Sequence, residues 1–238
     1  MKKQLSEEQI ADLFLFCKLH DAKYYDVQIE LVDHLATGIE NSWRQNEALS
    51  FNDALNAQFT QFGIYGFSKI RDQKGKALKR KHQKTLWKHI FSFFTIPKVV
   101  LTLILTSILF LVFEFSTNLQ IVLRSLFVIY ALIFVICIVV LFKRRKVDFQ
   151  NGKKFLYFDQ YNRVSSTCVM FLVFPFYTFN LESIITKTSS SFFHNTIFYF
   201  FAALLIVSYG IFFYSVFFYL PKRVKEDFER EFPQFVKA

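Results

Sequence analysis

The run "IVLRSLFVIYALIFVICIVVLFKRRK", Ile121 to Lys146, decides how the rest of the chain is read. Its apolar part, Ile121 to Phe142, carries a single charge, Arg124, and its last four residues are all cationic. A helix of about 20 apolar residues matches the hydrocarbon thickness of a bilayer. Lys and Arg gathered at one end of such a helix stay on the cytoplasmic side. The run therefore reads as a membrane span that exits into the cytoplasm.

Working outward, three further runs resemble it. "VVLTLILTSILFLVFEF" covers Val99–Phe115, "VSSTCVMFLVFPFYTFN" covers Val164–Asn180, and an uncharged Phe-rich run covers Ile197–Leu220. The third is the shortest in apolar content and holds Pro175, which predicts a kink that frees the Phe171 carbonyl. The connecting segments alternate in charge. Residues 69–89 hold nine Lys/Arg against one acid, and residues 143–163 hold seven against two. The tail resumes with "PKRVK", whereas 116–120 and 181–196 contain one Lys and no Arg between them. This pattern predicts four spans with both termini in the cytoplasm.

The first 68 residues are different material. They carry five Lys/Arg against ten Asp/Glu, a net of −5, whereas residues 69–238 carry 24 against nine, a net of +15. "SEEQ" at Ser6–Gln9 is a capping box. Ile10, Leu13, Phe14 and Cys17 follow at helical spacing. A second helix is expected over Tyr25–Gln45, packing through Val27, Leu31, Leu35 and Gly38 on one side and Val32, Ala36, Ile39 and Trp43 on the other. A third starts near Ser50, with Phe51, Leu55, Phe59 and Phe62 in one stripe and Gly63 as a left-handed stop. A core this thin rarely supplies more than about 3–5 kcal/mol, so the headpiece is expected to lean on a partner or the membrane. The expected fold is an all-α integral membrane protein. It comprises a cytoplasmic three-helix domain (1–68), a basic juxtamembrane helix (69–96), a four-helix transmembrane region (97–220) and a cytoplasmic tail (221–238).

The order "YYDVQIELVDHLATGIENSW", "ALSFNDALNAQF" and "FGIYGFSKI" over residues 24–70 resembles the HAAS family of bacterial helical domains, associated with helix-turn-helix regulators. The likeness covers roughly residues 5–70 and consists of helix-packing and capping signals. Members often precede transmembrane spans and are encoded beside regulators of the PadR type, so the resemblance implies a signalling or regulatory membrane protein and no catalytic residues. The chain departs from the pattern after Phe62–Gly63, where "FGIYGF" lacks the usual acidic and Pro residues.

Candidate chemistry is sparse. Glu30 and His34 share a helix face at i and i+4, with Asp33 about 100° round from His34. A zinc site needs further His or Cys ligands, which no spacing supplies, so no metal or other cofactor is expected. Glu30, Asp33, His34 and Glu40 instead form a candidate partner-docking face. Lys79, Arg80, Lys81, Lys84, Trp87 and Lys88 form a candidate lipid interface, where anionic headgroups contribute about 1 kcal/mol per cation. Nucleic acid is set aside, because no base-reading motif or aromatic platform accompanies the charge. Glu114 and Arg124, at the ends of the first two spans, are a candidate ion pair. Thr102 and Thr106 come nearest to a small-residue packing groove, although bulky aromatic packing is the expectation. The three cysteines, Cys17, Cys137 and Cys168, have no metal or disulfide spacing. The opening "MKKQLSEEQIADLF" lacks the apolar core and cleavage site of a signal peptide.

Three functions follow in order of preference. The first is a non-catalytic signalling or regulatory protein of the bacterial cytoplasmic membrane whose headpiece docks a cytoplasmic or membrane protein partner. The second is an accessory subunit of a transporter or export complex. The third is a lipid-modifying enzyme using Glu182 and His194 or Glu30 and His34. Association between copies of the chain stays open.

Overall fold

Ser6 starts the first helix. Its hydroxyl accepts a hydrogen bond from the Gln9 amide at 3.2 Å, and the Gln9 side chain accepts one from the Ser6 amide at 3.0 Å, which completes the capping box. Helix α1 then runs Glu7–Leu19, α2 Tyr25–Gln45 and α3 Phe51–Thr60, the last capped by the Ser50 hydroxyl. Gly63 follows α3 with φ +66°, the left-handed turn that the spacing predicts. The computed structural model describes residues 3–63, 66–145, 149–150, 152–172 and 196–235. Among them the regular secondary structure is helical apart from one antiparallel ladder of two residues per strand, β1 (Phe149–Gln150) with β2 (Lys153–Lys154).

The chain divides into two compact units, Met1–Arg80 with Val147–Gln160, and Lys81–Lys146 with Tyr161–Ala238. In the first, α2 is the central helix. Val27, Leu31, Leu35, Ile39 and Trp43 are all buried, which bears out both expected packing stripes at these positions. The unit is larger than the expected 1–68 domain. It also takes in the first turns of α4 (Ser68–Ser92) and the start of α7 (Leu156–Leu172). The physical reason is the thin core: Phe67, Leu78, Phe155 and Leu156 bury apolar surface that three short helices leave open. Gly75 lets α4 and α7 approach within this unit, since a Cβ there would stand 3.3 Å from Gln160 Nε2.

The second unit contains α5 (Lys98–Glu114), α6 (Leu119–Arg145) and α8 (Thr196–Tyr214). A single π-helical turn (Ser215–Tyr219) leads into α9 (Leu220–Glu231) and a short 3-10 turn (Pro233–Phe235). Helix α5 packs against α8, burying Thr102 and Thr106 on one side and Ala203 and Ile211 on the other. Both Thr hydroxyls donate to carbonyls, Thr102 to Phe93 at 2.9 Å and Thr106 to Thr102 at 2.8 Å. The Thr pair is thus the close-packed seam, beside the expected aromatic contacts Phe110–Phe200 and Phe113–Tyr199. The residues after 220, expected to be a tail, form α9 because Leu220, Val224 and Phe228 recur every fourth position and are buried.

Two helical runs are long and apolar enough to cross a membrane, Ile121–Val140 and Thr196–Glu231, and only 11% of each apolar window is buried within the chain. The core helix of a water-soluble protein would be mostly covered. The first expected span is the 17-residue helix α5. The third is helical as far as Leu172, and its remainder with Pro175 lies outside the described residues.

Leu35, fully buried at the centre of α2, tests the thin-core account. Leu35→Ala in the full-length chain should cost about 2–5 kcal/mol, enough to unfold the first unit. Fluorescence of buried Trp43 in a Trp87→Phe background would follow it, and a Trp43 transition unchanged by the substitution would refute the account.

Candidate functional site

The first unit is organised around a buried carboxylate. Asp26 occupies the first turn of α2 and is only 2% exposed. Its Oδ1 accepts a hydrogen bond from the Leu156 amide at 2.8 Å, and its Oδ2 accepts one from the Tyr157 amide at 3.1 Å. Leu156 and Tyr157 are the first two residues of α7, so one side chain caps a helix 130 residues further along the chain. The positive ends of two helix dipoles, that of α2 and that of α7, converge on this group. Lys74 of α4 donates to the Asp26 carbonyl at 2.7 Å and closes an ion pair with Glu30 at 2.7 Å.

Aromatic rings border the carboxylate. Phe155, fully buried, meets the Tyr25 ring edge-on at 5.8 Å, and Tyr25 stacks on Phe14 at the same separation. Lys153 Nζ stands 3.6 Å above the centroid of Tyr25, and Lys154 Nζ stands 5.0 Å from that of Tyr24. The two-residue ladder turns at Gly152, with φ +74°, and delivers both lysines to the tyrosines. The chemistry of this clasp is recognition: anion to amides, cation to rings and one aromatic side chain in the core.

Burial pushes the Asp26 carboxyl above its ordinary value of 3.8, outweighing the two amide donors and Lys74. Burial likewise pushes the Cys17 thiol up to about 12, which leaves it protonated and unreactive. Lys23, hydrogen-bonded to Asp21, holds that exposed carboxyl below its usual range.

Glu30 and His34 take different partners. Glu30 is exposed and pairs with Lys74 at 2.7 Å, while His34 packs edge-on against Phe62 at 5.5 Å. Asp33 is exposed, and Glu40 accepts from the Leu5 amide at 3.4 Å. Of the four candidate docking residues, Glu30, Asp33 and His34 remain exposed and Glu40 is half-buried. Among the described residues no group of three or more His, Cys, Asp or Glu could hold a metal ion. Glu182 and His194 lie outside the described residues.

Helix α4 has two faces. Gly75, Leu78, His82, Leu86 and Ile90 are buried at spacings of three and four, while Lys79, Arg80, Lys81, Lys84, Trp87 and Lys88 are exposed. In the second unit Lys81 pairs with Glu231 at 3.7 Å, and Trp87 stacks on Phe91 at 5.7 Å. No ion pair between Glu114 and Arg124 is seen among the described residues. Both side chains are exposed, where such a pair gains little.

His89 marks a feature that spacing alone did not show. Its ring lies 3.5 Å from that of Tyr219, nearly parallel, and its Nδ1 is 3.0 Å from Ser215 Oγ. Ser215 donates to the Ile211 carbonyl at 2.7 Å, so the Nδ1–H is assigned as donor to Ser215. Ser215 opens the π-helical turn, which swings Tyr219 into the stack. Burial, with Lys98 nearby, lowers the His89 pKa from its ordinary 6.5.

No known family model, curated protein or solved structure matches this chain.

Two pH effects follow. Asp26 keeps its proton in the folded unit at pH values where the unfolded chain has lost it. Its contribution therefore falls as pH rises above 3.8 and levels off beyond the raised folded value. Asp26→Asn should remove this slope and cost about 1–3 kcal/mol by leaving one amide without an acceptor; equal melting curves across pH for both proteins would contradict it. His89 acts in the opposite sense. Its contribution is complete above 6.5 and declines as pH falls below that value, a dependence that His89→Gln should abolish in thermal melts of the detergent-solubilised chain.

Proposed function

We propose that the chain is a non-catalytic signalling or regulatory protein of the bacterial cytoplasmic membrane. It crosses the bilayer four times with both termini inside, and its helical headpiece docks a cytoplasmic partner. The observation that carries this reading is the clasp at Asp26, by which the headpiece grips the basic segment between the second and third spans. A rearrangement among the spans would reach the headpiece through that grip, and a headpiece displaced by a partner would pull on the spans. The resemblance of residues 5–70 to HAAS domains supports the same reading and points to a PadR-like regulator as the partner. The exposed cationic and aromatic face of α4 suits anionic headgroups.

A second reading, an accessory subunit of a transporter or export complex, is favoured by one feature. Helix α6 leaves Val128, Leu132, Val135, Ile136 and Val139 exposed, an apolar face that a larger permease could cover.

Purification of the full-length protein from its native host in mild detergent separates the two. A soluble DNA-binding regulator retained by the wild type and lost with the double substitution Asp33→Ala and His34→Ala supports docking. Retention of an ATP-hydrolysing or multi-span partner instead supports the accessory subunit. A folded protein that retains neither sinks the docking reading.

A further inference from the structure

The clasp has a firm centre and a weak edge. At the centre the buried Asp26 carboxylate holds two amides, and Phe155 is fully enclosed. At the edge Lys153, which is exposed, and Lys154, which is half-buried, rest on the faces of Tyr25 and Tyr24. Cation–π contacts at exposed sites are weak, and a lysine near an anionic bilayer surface gains at least as much from the headgroups. An ammonium drawn into the headgroup layer leaves its ring. The segment is preceded by "KRRK" at Lys143–Lys146, directly after the apolar run Ile121–Phe142, so the surrounding sequence favours the same anionic surface.

We infer that anionic phospholipid headgroups are a ligand of the loop at Lys153 and Lys154, competing with Tyr24 and Tyr25 and loosening the clasp. The inference rests on the proposed topology, in which residues 143–163 face the inner leaflet. Lipid charge then sets how firmly the headpiece grips the segment between the spans. With neutral lipid both lysines stay on the tyrosines and the α7 amides remain capped. With anionic lipid the edge is withdrawn and the buried centre, Asp26 with Phe155, retains the segment.

The test uses the full-length chain in nanodiscs of phosphatidylcholine alone or of an equal mixture with phosphatidylglycerol. Hydrogen exchange is read at the Leu156 and Tyr157 amides. Protection should fall roughly fivefold in the anionic discs. The double variant Lys153→Gln and Lys154→Gln should exchange equally in both discs. Inorganic phosphate added to the neutral discs should change nothing, which separates a bilayer ligand from a free anion. Asp26→Asn, which should lose protection in every disc, confirms that the amides report the clasp. Equal protection of the wild type in both discs, or loss caused by phosphate alone, overturns the inference. Labelling of Lys3→Cys and Lys154→Cys in sealed vesicles distinguishes the two layers of argument. Reaction from opposite sides would refute the topology and the inference together, whereas same-side reaction with equal protection refutes the lipid ligand alone.

Discussion

One carboxylate at the meeting point of two helix ends organises the first unit. A carboxylate taken out of water is costly, and two amides and two helix dipoles facing Asp26 offset part of that cost. The same amides need an acceptor, since the first turn of a helix leaves its N–H groups without intrahelical partners. Neither end is satisfied alone: without the loop the Asp26 carboxyl would lack its two amide donors, and without Asp26 the start of α7 would be uncapped. The reciprocity makes residues 147–160 part of the headpiece rather than a linker. Lys74 adds a third connection by holding both the Asp26 carbonyl and Glu30 from α4.

The second unit obeys a different constraint. Helices α5, α6 and α8 leave many of their Leu, Ile, Val and Phe side chains exposed, and two of its helical runs are long and apolar enough to cross a membrane. Where helices do meet, polar groups settle their hydrogen bonds locally. Thr102, Thr106, Ser208 and Ser215 each donate to a carbonyl four residues back or in the adjoining turn. His89 then binds Ser215 at the π-helical turn, placing a titratable ring where apolar helix gives way to amphipathic helix.

The residues that look most chemical along the chain are structural in the fold. Glu30 is the partner of Lys74, and His34 is a ring packed on Phe62. The residue with the most consequential surroundings, Asp26, sits in an unremarked "YYD" at the start of α2. Its neighbours Tyr24 and Tyr25 serve as platforms for lysines contributed by another part of the chain. Recognition, rather than bond-making, is the chemistry this arrangement supports.

Local chemistry alone determined a good deal. The capping box at Ser6, the limits of α2, the Ser50 cap and the turn at Gly63 follow from interactions within a few residues, so spacing and side-chain type suffice to find them. The long apolar windows are legible for the same reason, since transfer into lipid depends on composition along one segment. Tertiary structure alone decided which distant groups meet. The amides that face Asp26 lie 130 residues away, and no periodicity in either segment announces the other. The burial of the Thr102–Thr106 seam and the stacking of His89 on Tyr219 likewise depend on how helices approach. Such contacts are a property of three-dimensional distance, which residue order does not carry.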